Sequence, residues 1–388
     1  MILKRLKEYW VKTITIMVAV FLFIVVGCSE EKAGMDLPEF LEAEIPKLME
    51  QNKVPGAAIA IIHQGHIKWA EGFGYADVKQ KIEVDENTIF QVASNSKPVA
   101  AWGIIKLIEQ GRLELDMPVE NYLSRWHIPD SVYNKEEVTI RGLLSHTAGL
   151  SLHGYPGYPE GENLPTLEES LNGKNSVDEE VKLVYSPGGQ FRYSGGGYTL
   201  LQLVVEEITE QTYSEFMKNE ILNPLDMNDS LYALHSEEVR NLAVGYEQTG
   251  EAYPIISYRE LAAAGLHTTV IDYSKFVAAL VKDEDEKQPA GRNILSEESL
   301  NTMFTPVMNR YGLGFLIISN EDHELITHGG TNIGYQSNFY MNRKSGDGIV
   351  ILTNSDSGNK MIQEVINQIV KWENINQSSY KFGLELIM

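Results

Sequence analysis

The chain has 388 residues and a single cysteine, Cys28, so no internal disulfide framework holds the fold together. Long apolar runs are scarce too. The stretch ITIMVAVFLFIVV at 14–26 has thirteen residues, too few to cross a bilayer as a helix. Positive charge is short: 32 Lys and Arg stand against 54 Asp and Glu, a net −22, which argues against nucleic acid or anionic lipid as a partner. No Gly-x-Ser-x-Gly elbow is present, which speaks against an α/β-hydrolase, and no Walker-type loop or dinucleotide fingerprint occurs. HELITH sets His323 and His328 five apart, where a helical zinc site needs four, and the segment has strand character. We therefore expect neither metal nor cofactor. Internal repeats and low-complexity tracts are absent as well.

What is present begins with Lys4, Arg5, Lys7 and Lys12 ahead of that apolar run, the layout of a signal peptide over residues 1–27. The run ends in VVGC and resembles a bacterial lipoprotein signal, which implies that Cys28 becomes the lipidated first residue and that the body sits outside the cytoplasm, held to a membrane. Without these 27 residues, which carry four Lys or Arg and one Glu, the charge is about −25. A polar tether follows over 28–36. The 43% apolar content can build a sizeable core. LPEFLEAEIPKLMEQ has helical spacing, and AAIAIIH and IKWAEGFGYAD form a hairpin about Gln64-Gly65. Residues 93–304 are expected to be mainly helical, with a long loop at 153–175. Strand patterns return in YGLGFLII, HELITHGG, YQSNFYMNR and GIVILTN, and an apolar-faced helix closes the domain near 372, leaving 373–388 as a tail. Strands at both ends with helices between predict an α/β (α+β) unit: an antiparallel sheet from about 37–92 and 305–372, flanked by helices, with an inserted helical region and a cleft at the seam.

The chemistry concentrates in FQVASNSKPVAAWGIIKLIEQ. Ser94 is placed as an N-cap, and the apolar helix that follows is a buried one. Lys97 is misplaced there, because a helix N-terminus disfavours a cation and a capping box would use Glu or Gln. Burial and the helix terminus both lower a lysine's pKa, which is what a lysine acting as base for a serine nucleophile requires. Ser-x-x-Lys also occurs at Ser29–Lys32 and Ser357–Lys360, but only the middle copy opens a buried helix. Tyr193 precedes a glycine run opening another apolar helix, from about Tyr198 to Ile208; alone it fits a tight loop with a packed tyrosine. His328-Gly329-Gly330 ends a strand, and alone fits a satisfied histidine. His146, in a segment with the pattern of a helix ending at Gly149, is assigned a structural role.

Taken in order, FQVASNSK, LLSHTAGL, FRYSGGGY, YGLGF and HGG resemble the serine beta-lactamase and penicillin-binding-protein superfamily, nearest to class C beta-lactamases and their esterase and D-amino-acid-peptidase relatives. The resemblance covers roughly residues 37–372. It implies that Ser94 is the acylated nucleophile, with Lys97 and Tyr193 moving protons. It further implies that His328 and Gly330 belong to the third motif, and that the backbone N–H groups of Ser94 and Thr331 form an oxyanion hole. Two departures bear on substrate. Gly195 replaces the asparagine that helps hold the substrate's amide, and Gly329 replaces a common threonine or serine. Both leave the acylation machinery and point towards an ester or an unusual amide, as a small molecule or short peptide. A non-catalytic, lipid-anchored binder of peptidoglycan fragments or other ligands is the alternative, though a mere binder has no need of Lys97.

Overall fold

Strands from opposite ends of the chain lie side by side in the computed structural model, which describes residues 34–285, 287–376 and 378–388. The expected signal segment, Cys28 and most of the tether fall outside the described residues. Helix α1 (Leu37–Asn52) starts where the Asp36 carboxylate accepts the Glu39 N–H, and it stops at Lys53, whose φ is 57°. Strands β1 (Gly56–His63) and β2 (His66–Asp77) turn through Gln64 and Gly65, both left-handed, at the expected hairpin. A short β3 (Ile82–Glu83) follows, and the C-terminal third adds β4 (Leu316–Ser319), β5 (Glu324–Asn332), β6 (Tyr335–Asn342) and β7 (Asp347–Thr353). The seven strands run β3-β2-β1-β7-β6-β5-β4, all antiparallel, with β1 paired to β7 at Ile59–Ile351.

Both faces of the central strands are covered, which is why β1 and β7 are continuously apolar rather than alternating. Ala57, Ile59 and Ile61 face α1 and the last helix, α5 (Gly358–Asn376). Ala58, Ala60 and Ile62 face the inserted region. That region holds α2 (Ser96–Glu109), α3 (Gly195–Thr209) and α4 (Val270–Ala278). Trp102 of α2 packs edge-on to Phe276 of α4 at 5.2 Å.

The insertion is less helical than its composition suggests. Between α2 and α3 the longest helices are the five-residue Ile140–Leu144 and Leu167–Leu171. The first ends before His146, whose φ of 59° breaks it short of Gly149. The 153–175 stretch is partly ordered: Tyr158–Pro159 pairs with Ile256–Ser257, and a Thr166–Glu169 capping box starts the second short helix. Helix α3 begins at Gly195, not Tyr198, because the Ser194 hydroxyl accepts the Gly197 N–H and draws the glycines into the first turn. Residue 372 falls inside α5, and 378–388 fold back along the sheet, ending in a one-turn helix over Leu384–Ile387. No helix among the described residues is long and apolar enough to cross a membrane.

Candidate active site

Ser94 is not an N-cap. It lies in a 3₁₀ turn, Ala93–Asn95, immediately before α2, entered through Ala93 at φ 52°. A left-handed alanine is strained and must be held by its surroundings. The Ser96 hydroxyl donates to Ala93 O at 2.6 Å and accepts the Leu266 N–H at 2.9 Å. The Asn95 amide donates to Ser337 Oγ at 2.8 Å, and Tyr273 donates to Asn95 O at 3.0 Å. Freed from capping, the Ser94 hydroxyl meets Lys97 instead, with Nζ at 3.0 Å.

Lys97 is 2% exposed and also donates to Ala263 O at 2.7 Å. It makes no ion pair among the described residues, and burial brings its pKa from 10.5 down to about 7. Tyr193 faces the Ser94 side chain, and burial raises its pKa, so it stays a neutral phenol at physiological pH. Its ring lies 5.0 Å from Lys97 Nζ. The three expected side chains therefore converge. The decoy Ser357–Lys360 does not: Lys360 is exposed at the start of α5.

β4 pairs with β5 only as far as Thr327, so His328 to Asn332 present an edge to the Ser94 turn and the cleft. Gly330 permits this approach, because a Cβ there would sit 2.1 Å from Val92 O. His328 is buried, with Nδ1 2.7 Å from Gly329 O and Nε2 2.9 Å from Tyr311 Oη. A carbonyl only accepts, so Nδ1 carries the proton and Nε2 accepts from the tyrosine. Burial, with Lys97 nearby, lowers the histidine pKa to about 3, so it is neutral. Thr331 borders the same cleft, with its hydroxyl donated to Gln336 Oε1 at 2.7 Å.

Gly195 is not brought into the cleft. Its N–H donates to His153 O at 2.9 Å, and a Cβ would lie 3.0 Å from that oxygen and 3.3 Å from the Tyr155 ring. The 153–155 backbone occupies the space an asparagine side chain would need. His146 stacks on Tyr193 at 4.1 Å and accepts the Ser194 N–H on Nδ1 at 3.1 Å, a supporting role in keeping with the structural assignment. Sequence reasoning missed the Ala263 carbonyl, His153 beside Tyr193 at 5.0 Å, and the C-terminal residues Leu386–Met388. Only Tyr311 carried a signal, as the first residue of YGLGF. The cleft measures about 960 Å³, and among the described residues no acidic side chain lines it.

A two-faced antiparallel sheet with an inserted helical region defines the serine beta-lactamase and penicillin-binding-protein class. The chain belongs to the beta-lactamase family, whose model matches residues 41–369. PbpX of Bacillus subtilis (strain 168), described as a penicillin-binding protein, is 30% identical over 80% of this chain and 73% of its own length. An octameric penicillin-binding protein homologue from Pyrococcus abyssi superposes with a TM-score of 0.70 at 29% identity, covering 83% of this chain and 74% of that one. The D-amino acid amidase of Ochrobactrum anthropi SV3 shares the fold, with a TM-score of 0.69 at 23% identity over 85% of this chain and 98% of that one.

Proposed function

We propose that this protein is a lipid-anchored, extracytoplasmic serine hydrolase that cleaves an ester or amide through an acyl-enzyme on Ser94. The observation that carries this reading is Lys97: buried, without an ion pair, 3.0 Å from the Ser94 hydroxyl, with a pKa near 7. Neutral Lys97 takes the Ser94 proton as Oγ attacks the substrate carbonyl carbon. Tyr193, held as a phenol, gives its proton to the leaving alkoxide or amine and recovers one from Lys97. The backbone N–H groups of Ser94 and Thr331 stabilise the developing oxyanion. Water, deprotonated by Lys97, then releases the acid and restores Ser94. His328 is neutral and engaged with Tyr311, so it supplies no charge to this sequence.

The placement of Gly195 behind the 153–155 backbone supports an ester or unusual amide over a beta-lactam as substrate. The D-amino acid amidase that shares the fold is in keeping with a short D-amino-acid amide or peptide as one such substrate. Incubation with a fluorophosphonate or a labelled penicillin, followed by peptide mass mapping, tests the reading. An adduct on Ser94 that disappears in Ser94→Ala supports it; no adduct on folded protein with either probe refutes it. The anchor is tested by the intact mass of membrane-extracted protein, which should show lipid on Cys28 and lose it in Cys28→Ala.

A further inference from the structure

The cleft does not end at the catalytic cluster. It continues across β5 onto the other face of the sheet, where Leu316, Ile318 and Tyr340 line it together with Leu386, Ile387 and Met388. Side chains alternate along a strand, so Thr327, Gly329 and Thr331 share this outer face while His328 points to the inserted region. Register places Leu316, Thr327 and Tyr340 in one row across β4, β5 and β6. At Gly329 the row of side chains is interrupted: a Cβ there would lie 2.8 Å from Asn338 Oδ1. The Asn338 side chain lies against Gly329 instead, and both line the cleft between Ser94 and the outer arm.

The wall formed by 384–388 is fixed in place. Lys381 N–H donates to Asp347 at 2.6 Å, and Lys381 O accepts from Asn342 at 2.6 Å and Ser345 at 2.8 Å. Gly383, at φ 70° against His323, turns the chain back over β4, and His323 pairs with Glu385 at 3.2 Å. Glu385 is thereby drawn to His323, and among the described residues no acidic side chain lines the arm although the chain carries 54 acidic residues.

We infer that this outer arm is an apolar subsite, walled by the C-terminal segment and entered past Gly329, that takes a medium-length alkyl or acyl chain of the substrate. This rests on the serine-hydrolase reading and narrows it to substrates bearing such a chain. An apolar chain is favoured there because it meets the aliphatic and aromatic walls of Leu316, Ile318, Tyr340, Leu386 and Ile387.

The test is kcat/KM for p-nitrophenyl esters from acetate to octanoate, with alkyl benzoates of matching length to distinguish an acyl-side from an alcohol-side chain. A fully buried methylene is worth about fourfold, so one of the two series should rise at least about tenfold with length. That rise should fall severalfold in Ile387→Asp and in Gly329→Val. It should persist in Ile375→Asp, an exposed position on α5 outside the cleft. Calorimetry with Ser94→Ala gives a reading independent of turnover: octanoate should bind more tightly than acetate, and Ile387→Asp should abolish the difference. Rates flat in chain length in both series, or a rise unchanged by both variants, overturn the subsite even if Ser94 is acylated. If no ester is turned over and no adduct forms, the hydrolase reading fails, and octanoate binding alone decides. Binding lost in Ile387→Asp sustains the subsite, and no binding overturns it.

Discussion

Replacing Lys97 with methionine should make the protein more stable and catalytically silent, and the stability change should reverse with pH. The pKa of Lys97 falls from 10.5 to about 7 on folding because its ammonium is buried. At about 1.4 kcal/mol per tenfold, that is a penalty of about 5 kcal/mol while Lys97 is protonated in both the folded and the unfolded chain. For a base whose folded pKa is lowered, the penalty is full below pH 7, fades between 7 and 10.5, and is absent above. Methionine removes it but forfeits the bonds to Ser94 Oγ and Ala263 O, about 1 kcal/mol each, and leaves the Ala263 carbonyl short of a partner. The net gain at pH 6.5 is about 2 kcal/mol, or about 4 °C in Tm at about 2 °C per kcal/mol for a large domain. By pH 9.5 the residual penalty of the native lysine is only about 1 kcal/mol, so Lys97→Met should melt below the native protein.

Calorimetric melts of both proteins at pH 6.5 and 9.5 provide the first assay, and the rate of fluorophosphonate labelling provides the second. Native labelling should rise about tenfold for each pH unit below 7 and level off above it, since only neutral Lys97 accepts the serine proton. Lys97→Met should label about 10²- to 10⁴-fold more slowly. A Tm difference of constant sign from pH 6.5 to 9.5, or native labelling independent of pH between 6 and 8, would refute a buried lysine base.

Tyr193→Phe keeps the stack on His146 but removes the leaving-group proton donor, so kcat/KM should fall about 10²-fold with Tm nearly unchanged. Gly330→Ala places a methyl 2.1 Å from Val92 O and should cost about 1–3 kcal/mol on denaturant unfolding while slowing Ser94 labelling, by pushing β5 from the nucleophile's turn. Gly195→Asn should not raise cephalosporin turnover. The added side chain meets the 153–155 backbone rather than the cleft, and lowered stability with unchanged turnover is the outcome to look for.

Local chemistry and distant contacts divide what could be foreseen from what could not. The sheet from both termini was legible because apolar runs bounded by Gln64-Gly65 and by the C-terminal turns report strands through short-range patterning alone. Lys97 was legible for the opposite reason: it contradicts the local rules for a helix start, and such conflicts mark function. Ser94 was misplaced as an N-cap because its turn is set by partners more than 100 residues away, Ser337, Leu266 and Tyr273, which hold Ala93 in a left-handed conformation that no propensity favours. The same limit hid the role of Gly195, whose environment is the backbone of His153, and of residues 378–388. That segment lacks the periodicity of a helix or strand. What seats it is a set of polar contacts to single residues, Asp347, Asn342 and Ser345, none remarkable in sequence. The proposed nucleophile and base are therefore written in one short motif, whereas the walls proposed to select a substrate come from loops and chain ends that pattern cannot place. Substrate class is consequently the property least recoverable from motifs alone, and Gly329 and the 384–388 wall are where it is to be sought.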